Sequence, residues 1–142
     1  MRIAAVLAAK GADVVHVEPG ATIAEVVQVL VGRQIGAVLV MSGDSILGVL
    51  SERDVVCALA AGRGDLLERR VRDMMTSPVV TISPDDSVVG AMRLMTDRRL
   101  RHLPVLESGR LVGLVSIGDL VKARIELAER EALELKDYIA TA

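Results

Sequence analysis

The chain has 142 residues, a net charge of −2, a pI near 5.7 and a single cysteine. That length suits one compact fold burying about two-thirds of its unfolded surface. The acidic balance gives no basic footprint for nucleic acid. The chain is apolar, at 51% hydrophobic with mean hydropathy +0.45, yet it has no Trp, no Phe and one Tyr. Tyr138 is thus the only aromatic platform of the kind that grips single-stranded nucleic acid. An aliphatic core suits strands buried on both faces with helices packed against them. Cys57 has no partner for an internal disulfide, so a reducing, cytoplasmic location is expected. The uncharged stretch from Met74 to Pro84 is about half a membrane span and holds two prolines. Lys10 and Asp13 come too early for a signal peptide.

The chain is written twice. Shifted by 65 positions, Val17 to Asp54 lies over Ile82 to Asp119 without a gap. Pro19 meets Pro84, Thr22 meets Ser87, Gly48 meets Gly113, and Ser51 and Asp54 meet Ser116 and Asp119. Each copy opens on a short strand, Val14 to Val17 or Val79 to Ile82, that runs into a proline turn. Thr22 or Ser87 then caps a helix, with Glu25 completing a capping box in the first copy. Helical spacing follows at Ile23, Val26, Val27 and Leu30, and at Val88, Ala91, Met92 and Met95. Two strands come next, joined at Ser42-Gly43-Asp44 or Glu107-Ser108-Gly109. A second helix opens at Ser51 or Ser116. Cys57 sits among Val55, Val56, Ala58 and Leu59 of that helix and reads as a buried, inert thiol.

The reading is a mixed α/β fold of tandem β-α-β-β-α repeats with pseudo-two-fold symmetry. Residues 1–62 form the first repeat, 63–70 a linker, 71–125 the second repeat, and 126–142 a helical extension. Within this layout, Gly62 to Asp65 is a loop leading into a charged helical stretch to Arg70. Val71 to Met75 forms a short lead-in helix stopped by Ser77-Pro78, and Ile3 to Ala9 holds the equivalent place before the first copy.

The last helix overruns the repeat. Ile125, Ala128, Ala132, Leu135 and Ile139 are spaced as a heptad seam. Lys122 with Glu126, and Arg130 with Glu134, are opposite charges four apart. The stretch reads either as a tail folding back on its own domain or as a self-association helix.

Two β-α-β-β-α units, each ending in Gly, two apolar residues, Ser-x-x-Asp and a helix, resemble the CBS domain pair, or Bateman module. Val80-Thr81-Ile82-Ser83-Pro84, Met74-Met75-Thr76 and Arg101-His102-Leu103-Pro104-Val105 carry the same resemblance. It covers about Ile3 to Ile125. It implies two three-stranded sheets with helices outside, and dimerisation into a flat four-repeat assembly. It also implies clefts between copies that take adenosine-containing ligands: AMP, ADP, ATP or S-adenosylmethionine. Carried over, Asp54 and Asp119 hold ribose hydroxyls and Ser51 and Ser116 face the phosphates. Thr81 neighbours the adenine, with Val15 and His16 in the matching stretch of copy one.

Elementary chemistry supports such a site. One ionised carboxylate can accept from both hydroxyls of a diol, and a helix N-terminus favours an anion. Ser-x-x-Asp is equally a plain capping box, and both readings can hold at once. Arg53, Arg101 and His102 are the candidate phosphate cations, while Arg98 and Arg99 suit a solvated helix end. The second copy has Gly118 where the first has Arg53, so its phosphate charge must come from Arg101, His102 or the other copy. His16 and Glu18 share a strand face, but two His and one Cys are too few for a zinc site. No nucleophile-base set or phosphate-cradling glycine loop is present. The expected function is therefore a non-catalytic, homodimeric sensor answering to an unknown effector protein. The alternative is a ligand-free scaffold.

Overall fold

The computed structural model describes residues 1–141. The element order is α1 (Ile3–Lys10), β1 (His16–Val17), α2 (Ile23–Arg33), β2 (Ala37–Ser42), β3 (Ser45–Ser51), α3 (Glu52–Ala60), α4 (Val88–Arg98), β4 (His102–Glu107), β5 (Arg110–Ser116) and α5 (Ile117–Thr141). The described residues form two compact units: residues 13–80, and residues 1–12 together with 81–141.

In the unit of residues 13–80, β1 pairs parallel with β2 and β2 antiparallel with β3. Val38, Val40 and Leu50 point to one face of this sheet and are buried with Ile23, Val26 and Leu30 of α2 and Val55 of α3. Each such side chain, fully buried, contributes roughly 2 kcal/mol of transfer free energy. Thr22 caps α2 with the full capping box expected from Glu25. The charged stretch before Arg70 is shorter than its composition suggests, one 3₁₀ turn at Leu66–Glu68, and a second turn spans Val71–Asp73. Cys57 is exposed, contrary to the buried thiol expected. The buried side of α3 runs through Val55 and half-buried Ala58, which turns Cys57, Val56 and Leu59 to the outside.

The other unit repeats this plan. Ser87 caps α4, and the β4–β5 hairpin matches β2–β3 down to an irregularity at the same place, Val40/Met41 and Val105/Leu106. Ser108 and Gly109 turn the hairpin with positive φ at both positions, the geometry that suits the twist of the flanking strands. The third strand is where the copies part. Thr81 is not in a strand, and Ile82 makes only a single parallel bridge to Val105. In the first copy, Leu39 N–H donates to the Val15 carbonyl at 3.2 Å. Its counterpart 65 residues on is Pro104, which has no N–H to donate.

The lead-in segments are exchanged. Residues 1–3 pair with 86–88, through Ile3 N–H to Asp86 O (2.9 Å) and Val88 N–H to Met1 O (3.0 Å). Residues 69–71 pair in the same manner with 21–23. So α1, which precedes the first copy in sequence, serves the second, and the lead-in of the second serves the first. Two glycines record this. A Cβ on Gly48 would stand 2.6 Å from Met75 Sδ, and one on Gly113 would stand 2.5 Å from a methyl of Leu7.

Candidate functional site

Both Ser-x-x-Asp motifs form capping boxes. Ser51 N–H donates to Asp54 Oδ2 at 2.8 Å, and Asp54 N–H donates to Ser51 Oγ at 3.3 Å. Ser116 N–H donates to Asp119 Oδ2 at 2.8 Å, and Asp119 N–H to Ser116 Oγ at 3.1 Å. The boxes pin each half-buried carboxylate at the first turn of α3 or α5. Among the described residues, Oδ1 of neither Asp accepts a hydrogen bond, so each keeps one oxygen for an outside donor. Capping and binding are thus compatible: the box spends one oxygen and fixes the other.

The strands bring further residues to each helix start. His102 lies directly across the β4–β5 ladder from Ser116, as Ala37 does from Ser51. Ladder partners share a face, so half-buried His102 stands on the same side of its sheet as Ser116. Arg101 O accepts from Ile117 N–H at 2.8 Å, as Gly36 O accepts from Glu52 N–H at 2.9 Å. His102 thus stands on the face that carries Ser116, and Arg101 meets the start of α5 through its carbonyl. Thr81 is exposed, next to Ile82 in the same unit. Arg53 is exposed on the first turn of α3, beside Asp54. His16 sits apart on edge strand β1, two strands from Ser51.

A cavity of about 460 Å³ lies beside His16, lined also by Gln28, Gly32 and Arg33. A second, of about 470 Å³, lies between α2 and α3 and is lined mainly by Val27, Leu30, Val31, Ile35, Val55 and Val56. Neither includes Ser51 or Asp54.

The two carboxylates differ in one respect that the motifs do not announce. Lys10 Nζ, at the end of α1, lies 2.5 Å from Asp119 Oδ2 and also donates to the Leu114 carbonyl at 2.7 Å. Asp54 has no cation within ion-pair distance among the described residues. Partial burial pushes the Asp119 carboxyl up. The Lys10 hydrogen bond, the Ser116 backbone N–H, the Lys10 charge and the Ser116 hydroxyl together outweigh it, so the carboxyl sits below its ordinary value. Sequence reasoning missed Lys10. The only local sign was one cation closing an otherwise apolar helix, and its partner lies 109 residues away.

The sequence profile of the CBS domain matches residues 9–61 and again 71–126. The chain belongs to the CBS-domain family. Among solved structures, a CBS-domain-containing protein of Agrobacterium tumefaciens superposes with TM-score 0.85 at 41% identity, covering 87% of this chain and 99% of that one. A CBS-domain protein of Pyrobaculum aerophilum, solved complexed with AMP, superposes with TM-score 0.78 at 29% identity, covering 91% and 97%. A mitochondrial CBS domain-containing protein of Arabidopsis thaliana is 32% identical over 123 residues; the match covers 83% of this chain and 60% of that relative's length. The two CBS repeats therefore account for the doubled boxes. Among the described residues, no helix is long and apolar enough to cross a membrane.

Proposed function

We propose that this chain is a regulatory module of the cytoplasm that binds adenosine-containing ligands and catalyses nothing itself. The ligands in view are AMP, ADP, ATP and S-adenosylmethionine, and the acting form is a homodimer that reports to an effector protein. Asp54 and Asp119 accept the ribose hydroxyls. Ser51 and Ser116 face the phosphates, and Arg53, Arg101 and His102 supply positive charge. Thr81 lies beside the base, and His16 is the outlying member of the set. The observation that carries this reading is the doubled capping box, in which a fixed carboxylate keeps one oxygen open at a helix N-terminus. The AMP complex of the Pyrobaculum aerophilum relative supports the ligand class.

Calorimetry with AMP, ATP and S-adenosylmethionine tests it, on the wild type and on Asp54→Asn and Asp119→Asn. Binding that weakens in the variants is expected. No adenosyl ligand bound at millimolar concentration would refute the reading. A bound ligand stabilises the native state by RT ln(1 + [L]/Kd), so thermal shift gives an independent readout. The competing scaffold reading draws on the same boxes, whose Oδ2 atoms are already satisfied without ligand. A stable dimer indifferent to every nucleotide would favour it.

A further inference from the structure

Helix α5 runs on well past the unit it belongs to. Leu120 is fully buried, and Ala123 and Leu127 are half-buried, so these three mark the stripe facing the body of the unit. The same stripe continues into Glu131 and Glu134, both exposed. It has turned polar, and every described residue from Ala128 onward is exposed. The tail therefore does not fold back on its own unit. About fourteen residues, roughly 21 Å of helix, stand free of it. A lone helix of that length is marginal in water.

A second stripe lies roughly 100° round the axis and stays apolar to the end. Val121, Ile125, Leu135 and Ile139 are 40%, 53%, 59% and 65% exposed, and Ala128 and Ala132 lie between them. In heptad terms, Ile125, Ala132 and Ile139 take a positions, and Val121, Ala128 and Leu135 take d positions. Among parallel coiled coils, a β-branched residue at a with leucine at d, as at Ile139 and Leu135, favours two strands.

The flanking charges choose the occupant. Arg124 and Glu131 fall at g, and Lys122, Glu129 and Lys136 at e. In a parallel, in-register pair of identical helices, g of one chain meets the following e of the other. Arg124 then faces Glu129 and Glu131 faces Lys136, each contact occurring twice with no like-charge pair. The antiparallel overlap that sets Glu129 against Lys136 satisfies that pair alone, and the one that sets Arg124 against Glu131 and Lys122 against Glu129 places Leu135 opposite Gly118 and Ile139 beyond the start of the other copy's α5. The overlap one heptad longer than the Glu129–Lys136 one opposes Glu129 to Glu129, Glu131 to Glu131 and Lys122 to Lys136. The lysine and arginine pairs expected along the helix, Lys122 with Glu126 and Arg130 with Glu134, are not within 4.0 Å of each other, so they do not hold the tail by themselves.

We infer that the α5 tails of two copies of this chain pair as a parallel, in-register two-stranded coiled coil. This deepens the homodimer of the proposed function by naming a surface for it, and it is independent of any ligand.

Oxidative cross-linking of the full chain tests it in a Cys57→Ser background. Ala128→Cys, on the seam, should form a disulfide between identical positions at least tenfold faster than Arg130→Cys on the outer face. Sedimentation should show Arg124→Glu raising the dimer dissociation constant about tenfold, with Arg124→Glu/Glu129→Arg restoring it. Equal cross-linking at both positions, or no rescue by the double exchange, would overturn the inference. A dimer that persists with Ala128→Cys unlinked removes the paired tail and leaves the homodimer reading standing. A monomeric full chain removes both.

Discussion

The two helix starts have the same backbone and different company. At Ser51 and at Ser116 the box distances agree within about 0.2 Å. What differs is the segment packed beside each. Next to Val49, the exchanged lead-in is extended, and Thr76 and Val49 trade two backbone hydrogen bonds of 2.9 and 3.1 Å. Next to Leu114, the equivalent position, the exchanged lead-in is the helix α1, and the contact comes from a side chain, Lys10 Nζ. A backbone bridge ends where it is made. A lysine has two further protons, and one reaches Asp119. The copy without a local arginine thus gains an ammonium from elsewhere in the chain. Duplication has kept the turn, and the lead-in has changed its charge.

The largest effects should be those common to both copies. Gly48→Val and Gly113→Val each drive a side chain into Met75 or Leu7, and each should cost about 3 kcal/mol in urea unfolding. In the smaller alanine variants, Met75→Ala should relieve Gly48→Ala but not Gly113→Ala, with Leu7→Ala doing the reverse. Relief across the wrong pair would show that the lead-ins are not exchanged.

Next in size is the ligand response. Asp54→Asn keeps an oxygen for the Ser51 N–H but loses the charge that a ribose hydroxyl meets. It should weaken adenosyl-ligand binding at that half-site by about 2 kcal/mol, on the order of thirtyfold by calorimetry. Equal affinity in wild type and variant would remove Asp54 from the site.

Lys10→Met separates the copies. It should destabilise the fold by about 1 kcal/mol, the scale of a partly exposed ion pair. Because the Asp119 carboxyl is held low in the folded state, its contribution is present above its unfolded titration near pH 4. That contribution fades as pH falls through the folded value. Wild type and Lys10→Met should therefore differ at pH 7 and converge in acid. A gap that is unchanged down to pH 2 would mean that Lys10 acts through Leu114 alone.

The smallest effect is again shared. Gln34 and Arg99 end α2 and α4 in the left-handed conformation, with φ of 54° and 55°. Gln34→Gly and Arg99→Gly should each raise stability by up to about 1 kcal/mol in thermal melts. A loss at Arg99 alone would mean that its side chain does more than end a helix.

Most of what was legible in the sequence is local. Caps at Thr22, Ser51, Ser87 and Ser116, the hairpin turns and the 65-residue offset each depend on residues a few places apart. The missing third strand of the second copy was within reach, since Pro104 announces a lost donor. The exchange of lead-ins was not, because Ile3 to Ala9 looks the same whichever sheet receives it. The glycines at 48 and 113 were visible as a matched pair, but what fills the space above them comes from a distant segment. The partner of Asp119 was hidden for the same reason. Composition pointed toward Arg101 and His102 because they are near in sequence. The start of α5 has the Arg101 carbonyl and His102 beside it, while Lys10 of α1 reaches the carboxylate.

The exchanged N-terminal helix also fixes how the molecule would bear tension. Both ends of the described chain belong to one compact unit, and residues 13–80 form an excursion from it. A force applied between the ends of the described chain is carried first by the pairing of residues 1–3 with 86–88 and then by the grip of α1 on β5 and α5, where Leu7 sits over Gly113 and Lys10 holds Leu114 and Asp119. Until that clasp opens, the excursion carries no load.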